Sequence, residues 1–354
     1  MTAYRFVSAR FLLPLLVLFG LVTATAVSAA TRMHEVQVPV ADRSAAARAE
    51  ALQQAMQQLL VRVTGERDAA RLVGIEPLLA QPEQYVQQFR YLTVEAEPTT
   101  PAGEALELNV HFDGTAVERV LRDNGLPVWG RERPPLLLWL AVGGDQRRLI
   151  AADSGHPLHA AARRVARERG LPLLFPLLDL EDQTGVGFAD VWGGFDETVL
   201  AATQRYTPRL VLLGRLQPGA GGWRGSWTLH LGRDRLTWDS RGDSAAAALA
   251  GGLYQAADRL ALRLAVRALG EADQVERIRI RDVRSLDDYA RALDYVAGLT
   301  PVRDVEVLAV EDSNLDLLLA LDGNRQTLER LLNIGRVLEP DPAAPEPAYR
   351  LLPR

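Results

Sequence analysis

Residues 210–240 read LVLLGRLQPGAGGWRGSWTLHLGRDRLTWDS, and this stretch decides the fold of the middle of the chain. It consists of an apolar run, a glycine-rich turn, an alternating run and a second turn at Gly-Arg-Asp. Three of the six tryptophans, Trp223, Trp227 and Trp238, lie in it. The pattern predicts a β-meander, and the helical patterns on either side have apolar faces that need a sheet to pack against.

Around the meander, the sequence predicts a central α/β domain with a mixed sheet over residues 131–272. The polar, proline-bearing RERPP at residues 131–135 marks its start. Apolar runs at 136–142 and 172–178 are typical of strands buried on both faces. Helices are expected over residues 159–168, 195–206 and 244–269.

A small α+β domain of βαββα-like order is predicted over residues 31–130. A strand at 33–40 precedes an amphipathic helix that begins at Ser44 and ends at Gly65. The order continues with a helix at 76–89, strands at 90–97 and 105–112, and a helix between Asp113 and Gly125.

A third domain, of ferredoxin-like βαββα type, is predicted over residues 273–340. Its strands are expected at 275–283, 302–310 and 315–321, with helices that begin at Ser285 and Asn324. A proline-rich tail follows over residues 341–354, with a return as an edge strand near Tyr349 left open. The first and third domains share one plan, so duplicated architecture is an open interpretation.

Residues 1–30 have the pattern of a cleavable secretory signal. Arg5 and Arg10 precede the apolar stretch FLLPLLVLFGLV, and small residues follow as far as Ala29 and Ala30. The alternative is an uncleaved anchor, although the apolar stretch is shorter than the ~20 residues that a membrane-spanning helix needs. We expect cleavage near Ala29 or Ala30, a periplasmic location and no transmembrane segment in the processed chain.

Charge and composition argue against several function classes. The 354-residue chain has a formal net charge of −5, and loss of residues 1–30, with two arginines and no acid, changes it to −7. Such a protein lacks the electrostatic footprint for nucleic acid or anionic lipid. Cysteine is absent and all 40 basic residues are arginine, which excludes disulfides, thiolate metal sites and lysine-dependent catalysis.

Three aspartates, Asp145, Asp179 and Asp182, are the candidate ligand-binding residues of the central domain. They follow the two apolar strands, and α/β sheets bind ligands outside such strand ends. Paired carboxylates there could bind a metal or act as general acid and base, and a solvated loop is the alternative. No motif predicts a catalytic residue, a metal or a cofactor.

Tryptophans and histidines give further candidates. Trp223 and Trp227 have the same parity and would form an open platform for a glycan or peptide, or pack against the helix at 244–269. His156 and His159 are spaced to share a metal at a helix start, but no third ligand follows and a capping or solvated pair is favoured. His230 is interpreted as an ordinary strand residue.

Several long stretches resemble an uncharacterised family of exported Gram-negative proteins, domain of unknown function 2066. The stretches are VQVPVADRSAAARAEALQQAMQQLLVRVTG, EQYVQQFRY, FDGTAVERVLRDNGLPVWGRERPPLLLWLA, FADVWGGFDETVLAATQRYTPRLVLLGRL and LDDYARALDYVAGLTPVRDVEVLAV. The resemblance covers nearly the whole processed chain and implies no activity. At fold level, the central domain is also similar to envelope domains of the TolB N-terminal, CsgG and LpoB type.

Two function classes follow from these observations. The first is a non-enzymatic periplasmic factor that works through contacts with envelope proteins, and it predicts an exposed apolar patch or a free strand edge. The second is an enzyme or a small-ligand or glycan binder that uses the strand-end crevice of the central domain, and it predicts a concave pocket with converging carboxylates.

Overall fold

The computed structural model describes residues 33–95, 104–130, 133–145, 147–208, 210–232, 234–267, 274–335, 337–342, 344 and 347–353. The predicted secretory signal lies outside these residues. Among the residues described, no helix is both long and apolar enough to cross a membrane. The structure confirms the predicted combination of α/β and α+β architecture, with mixed and antiparallel sheets and helices packed on them.

The N-terminal unit is a three-stranded antiparallel sheet covered by a long helix. Its strands are β1 (Glu35–Pro39), β2 (Val86–Glu95) and β3 (Glu104–Phe112), in the order β1-β3-β2. Its helices are α1 (Ala45–Thr64), α2 (Glu76–Ala80) and α3 (Gly114–Asp123), and the short strand β4 (Pro127–Val128) follows. The Ser44 hydroxyl caps α1, and Gly65 ends it with φ at 75°.

The helix predicted over residues 76–89 is wrong in its second half. α2 ends at Ala80, one 3₁₀ turn follows at Pro82–Tyr85, and β2 already begins at Val86. The cause is Pro82, which has no N–H for a helical hydrogen bond and keeps the preceding Gln81 out of the helical region.

The central sheet has the order β10-β9-β8-β5-β6, with β7 also paired to β5. Its strands are β5 (Leu136–Val142), β6 (Arg148–Leu149), β7 (Leu173–Leu174), β8 (Leu210–Gly219), β9 (Gly222–Leu231) and β10 (Asp234–Gly242). β5 runs parallel to β7 and β8, whereas β8, β9 and β10 form the predicted antiparallel meander.

Helices cover both faces of this sheet, which explains why β5 is apolar at every residue. They are α4 (Leu158–Arg169), α5 (Leu180–Gly185), α6 (Phe188–Gly193), α7 (Asp196–Thr203) and α8 (Ala245–Leu264). Leu138 and Leu140 pack in the core of α4 and α8, whereas Leu137 and Trp139 pack in a separate core with α6 and α7.

Two elements of the central domain were predicted to be longer than they are in the structure. Only Leu173–Leu174 of the run at 172–178 pairs as a strand, because Pro172 and Pro176 cannot donate to a ladder. The helix expected to reach residue 269 ends at Leu264, where the chain extends into β11 (Val266–Arg267) and pairs with β4.

The C-terminal sheet has the order β13-β14-β12-β16-β15. Its strands are β12 (Gln274–Arg281), β13 (Val302–Glu311), β14 (Asn314–Leu321), β15 (Leu338–Pro340) and β16 (Ala348–Leu351), with helices α9 (Leu286–Gly298) and α10 (Arg325–Ile334). The first three strands repeat the 1-3-2 order of the N-terminal unit. The sheet departs from a ferredoxin-like order at its end, because residues predicted as a tail supply β16, which pairs parallel to β12.

The central and C-terminal parts of the chain share one continuous apolar core. It joins Leu260 and Leu264 of α8 to residues of α9, α10 and the C-terminal sheet, such as Val296 and Leu332. The N-terminal unit has a core of its own and is joined to the rest by the β4–β11 pair.

Candidate functional site

Asp179 and Asp182, two of the candidate ligand-binding residues, are held by Arg205 and Tyr206. Asp179 caps α5, because its carboxylate accepts a hydrogen bond from the Asp182 N–H at 3.1 Å. Arg205 donates to both oxygens of Asp179, at 2.6 and 2.8 Å, and to Asp182 at 3.2 Å. The fully buried Asp182 also accepts from the Tyr206 hydroxyl and from the Leu178 N–H.

This cluster has the chemistry of a structural clamp. The hydrogen bond from Arg205 lowers the pKa of Asp179 to about 2, while burial and the bond to Asp182 raise the pKa of Tyr206 to about 12. A carboxylate with so low a pKa is a poor general base near neutral pH. In the part of the chain that the structure describes, no group of three His, Cys, Asp or Glu side chains could hold a metal ion.

We expect Asp179 to titrate near pH 2 in the folded protein, against about 3.9 in an unfolded chain. Since the folded pKa is the lower one, the clamp stabilises the fold fully above about pH 4 and loses its effect as the pH falls through 2. In Arg205→Gln, the pKa of Asp179 should rise towards its ordinary value. A carboxyl carbon-13 NMR titration measures this pKa, with Arg325→Gln as the control. An Asp179 pKa that is unchanged in Arg205→Gln would contradict the clamp.

Asp145 and the paired histidines lie apart from this cluster in the fold. Asp145 is exposed in the turn after β5. The buried His159 places Nε2 2.8 Å from the Ala151 carbonyl oxygen, to which it donates. His156 accepts the Leu158 N–H at its Nδ1, so both histidines hold the start of α4.

Trp227 lies between the meander and α8. Its side chain is 1% exposed, and the indole donates to the Ser240 hydroxyl at 2.8 Å. A Cβ added at Gly214 or Gly252 would overlap the ring, so both glycines make room for it. Trp223 is only half-buried against the same core. The two tryptophans therefore form no shared open platform.

Sequence reasoning missed a cluster of polar contacts around His230. In β9, the Nε2 of His230 lies 3.1 Å from Asp196, the first residue of α7. The same carboxylate oxygen accepts from Nε of the exposed Arg235 at 2.8 Å. Asp196 lies 34 residues from His230 and was hidden inside a predicted helix, so only tertiary structure brings the pair together.

His230 lines a cleft of about 860 Å³ between the central and C-terminal parts. The cleft lies at the amino end of β8. This is the opposite end of the sheet from the carboxyl ends of the parallel strands, where α/β sheets usually bind ligands. Its buried Thr203 is no free nucleophile, since the hydroxyl donates to the Val199 carbonyl and accepts the Trp139 indole N–H at 3.1 Å.

A buried arginine joins the N-terminal unit to the central domain. Arg133 is the third residue of the predicted RERPP boundary, and its guanidinium is 3.8 Å from the centroid of the Trp129 ring. It donates to five backbone carbonyl groups, those of Arg62, Trp129, Gly130, Arg169 and Gly170. Burial, together with the nearby Arg62 and Arg169, lowers the pKa of Arg133.

A cleft of about 640 Å³ lies beside this junction, where all three parts of the chain meet. Four of its charged side chains form ion pairs with each other: Arg67 contacts Asp258 at 2.6 Å and Arg267 contacts Glu66 at 3.5 Å. Arg169 also binds Asp258, at 2.8 Å. These pairs connect the end of α1 with α8, so the lining stabilises the junction.

The edge of the C-terminal sheet exposes apolar side chains. In the described part of the chain β13 pairs only with β14, and its Val307, Leu308 and Val310 are 38%, 42% and 56% exposed. Register shifts between Val302 and Asp304 and between Val307 and Ala309 interrupt the pairing. This edge combines unpaired backbone groups with exposed apolar surface, which are the features of a protein-binding strand.

Comparison with known proteins corrects the resemblance inferred from sequence. No curated protein and no solved structure matches the chain, which leaves the likeness to envelope domains without support. Nothing supports membership of domain of unknown function 2066: the family that matches is a different one of unknown function. The match ends at Gly130, two residues after β4, the last strand of the N-terminal unit. Residues 28–130 are similar to the family described as Domain of unknown function (DUF8605).

Proposed function

We propose that this protein is an exported, non-enzymatic interaction or assembly factor of the bacterial cell envelope, with the β13 edge as its contact surface. The observation that carries the proposal is the exposure of Val307, Leu308 and Val310 on a strand whose second side is unpaired among the described residues. Folded proteins normally shorten, cover, bulge or charge such edges, because they recruit other strands, and β13 has register shifts and acidic residues yet keeps three exposed apolar side chains. A ten-residue edge with exposed valines is therefore best explained by a partner.

The chemistry of the predicted crevice also favours an interaction protein over an enzyme. Asp179 and Asp182 are bound by Arg205, and Trp227 is a core residue of the meander. These contacts account for Asp179, Asp182 and Trp227 without a substrate, and the exposed Asp145 lies apart from them. An enzyme or glycan binder that used this crevice would need carboxylates or aromatic faces that are open to solvent.

The predicted signal supports the export part of the proposal. Its arginines, apolar stretch and small residues lie in the order that a signal peptidase substrate requires. The lack of cysteine is compatible with an oxidising compartment, because no thiol is left to pair wrongly. We therefore place the protein in the periplasm, with an N-terminus at Ala30 or Thr31 after cleavage.

Site-specific photo-crosslinking in living cells tests the proposed function. A photoreactive phenylalanine at position 308 or 310 should give one discrete adduct with an envelope protein, because both positions border the free edge. Position 275 is the matched control, since Val275 is 53% exposed on β12 of the same sheet, two strands away from β13. Equal adducts from positions 275 and 310, or none from 308 and 310, would contradict the proposal.

Fractionation of the same cells tests export. The protein should be recovered from the periplasmic fraction, and N-terminal sequencing should begin at Ala30 or Thr31. Recovery from the cytosol with Met1 retained would contradict the proposed location.

A further inference from the structure

A helix lies along the apolar edge of the C-terminal sheet. α9 packs against β13 and contributes Tyr289 and Leu293 to the shared core. The Val283 N–H donates to the Ser313 carbonyl at 3.0 Å, which places the start of α9 beside the β13–β14 turn. Leu286, 82% exposed in the first turn of α9, is therefore at the same end of the sheet as Val310. We name α9 and β13 together the edge groove.

The edge groove is strongly acidic. Residues 286–312 contain seven acidic residues and two arginines, a net charge of −5. The two arginines are already engaged, since Arg291 contacts Asp288 at 3.6 Å and Arg303 contacts Asp322 at 3.4 Å. A binding segment that lies here enters a negative potential and needs positive charge to match it.

In the segment of β13 that lies between its two register shifts, residues 304–307, the two faces of the strand differ in chemistry. Val305 and Val307 pair with the buried Leu319 and Leu317, so their side chains lie on the helix side of the sheet. Asp304 and Glu306 alternate with them and lie on the opposite face. An added strand would meet apolar neighbours on one face and carboxylates on the other.

We propose that the edge groove binds an extended segment of another protein in which apolar residues alternate with arginine or lysine, added to β13 as a further strand. This inference rests on the proposed function and names the chemistry of its partner. The backbone groups of β13 supply hydrogen bonds, the valines take the apolar side chains, and Asp304 and Glu306 take the basic ones.

Two other occupants are disfavoured by the same charges. A second copy paired through its own β13 would bring two segments of net charge −5 together, and like charges across strands are destabilising. A nucleic acid or an anionic membrane surface would be repelled as well. The acidic residues thus select against self-pairing and leave a basic strand as the matching ligand.

Fluorescence anisotropy with defined peptides tests this inference on the purified, processed protein. The probes are a labelled octapeptide of alternating valine and arginine, its valine and glutamate counterpart, and the basic peptide with alternate backbone nitrogens methylated. The basic peptide should bind, and the other two should bind at least about tenfold more weakly, because they lose the charge match or the N–H donors.

The Asp304→Arg/Glu306→Arg variant should weaken binding of the basic peptide about tenfold or more. The control is Asp234→Arg/Asp239→Arg, which makes the same charge change on exposed residues of β10, the edge strand of the central sheet. It should bind as wild type, and Val310→Lys should lose binding at unchanged thermal stability.

Equal binding of the acidic peptide, wild-type affinity of Asp304→Arg/Glu306→Arg, or no binding of the basic peptide would overturn the inference. If positions 308 and 310 still crosslink an envelope protein in cells, the proposed function stands and only the partner chemistry is wrong. If the crosslinks also fail, the proposed function falls with it.

Discussion

Replacing Arg133 with lysine should lower the free energy of unfolding by about 3–5 kcal/mol, one of the two largest effects expected of any single change in this protein. The guanidinium donates to five carbonyl groups from three segments of the chain. A lysine ammonium has three donors and no planar fork, so it leaves at least two of these buried carbonyls without a partner and loses the stacking on Trp129.

Urea unfolding followed by tryptophan fluorescence measures the effect, because Trp129 lies against the substituted side chain. Arg325→Lys is the matched control: its side chain is 51% exposed and pairs with Glu329 within α10, so the change should stay within about 0.5 kcal/mol. Arg133→Met removes the buried charge but leaves all five carbonyl groups without a hydrogen-bond donor. We expect it to lower the free energy of unfolding as much as the lysine variant does. Wild-type stability of both Arg133 variants would contradict the assigned role of the junction.

At the junction, the use of arginine rather than lysine has a structural reason. The chain contains no lysine, and a GC-rich coding sequence would account for arginine at exposed positions such as Arg325. At Arg62, Arg133 and Arg169 the guanidinium is required for its geometry, since each is buried and each binds backbone carbonyls. The sequence showed only RERPP, a polar segment typical of a linker, and it held no signal that one of its arginines is buried.

Elements with local signals were predicted well. Ser44, Ser285 and Asn324 were each expected to begin a helix, as was one of the pair Asp243 and Ser244. The side chains of Ser44, Ser244, Ser285 and Asn324 each accept the hydrogen bond of an N-cap. The meander followed from its two glycine-bearing turns. One failure arose because the apolar periodicity predicted a helix that Pro82 interrupts. Another arose because the pairing of β16 with β12 joins strands that are distant in sequence.

The candidate sites were less predictable because their partners are distant in sequence. Asp179 and Asp182 were predicted as candidate ligand-binding carboxylates, but Arg205, which binds them, is 26 and 23 residues away in another element. The exposure of Val307 and Val310 was equally hidden, because an alternating strand has the same sequence whether its edge is covered or free. Only sheet order separates those two cases.

Replacing Trp227 with alanine should cost about 3–5 kcal/mol of stability, because it empties the space between the meander and α8. The half-buried Trp223 serves as the control, and Trp223→Ala should cost clearly less. This comparison separates the two interpretations of the meander tryptophans. A glycan platform requires exposed rings whose loss leaves the fold stable, whereas a core tryptophan contributes mainly to stability.

A double-mutant cycle with Gly252 makes the test specific to this contact. Gly252→Ala alone should destabilise by about 1–3 kcal/mol, because the new methyl group overlaps the indole of Trp227. In the Trp227→Ala background the clash is gone, and alanine is the better helix former by about 1 kcal/mol, so the same change should stabilise. The two effects therefore differ in sign, and the coupling between the positions should reach about 2–4 kcal/mol. If the changes in unfolding free energy of Trp227→Ala and Gly252→Ala were additive in urea unfolding, the indole ring would not lie against Gly252 of α8. The described packing of the meander on α8 would then be wrong.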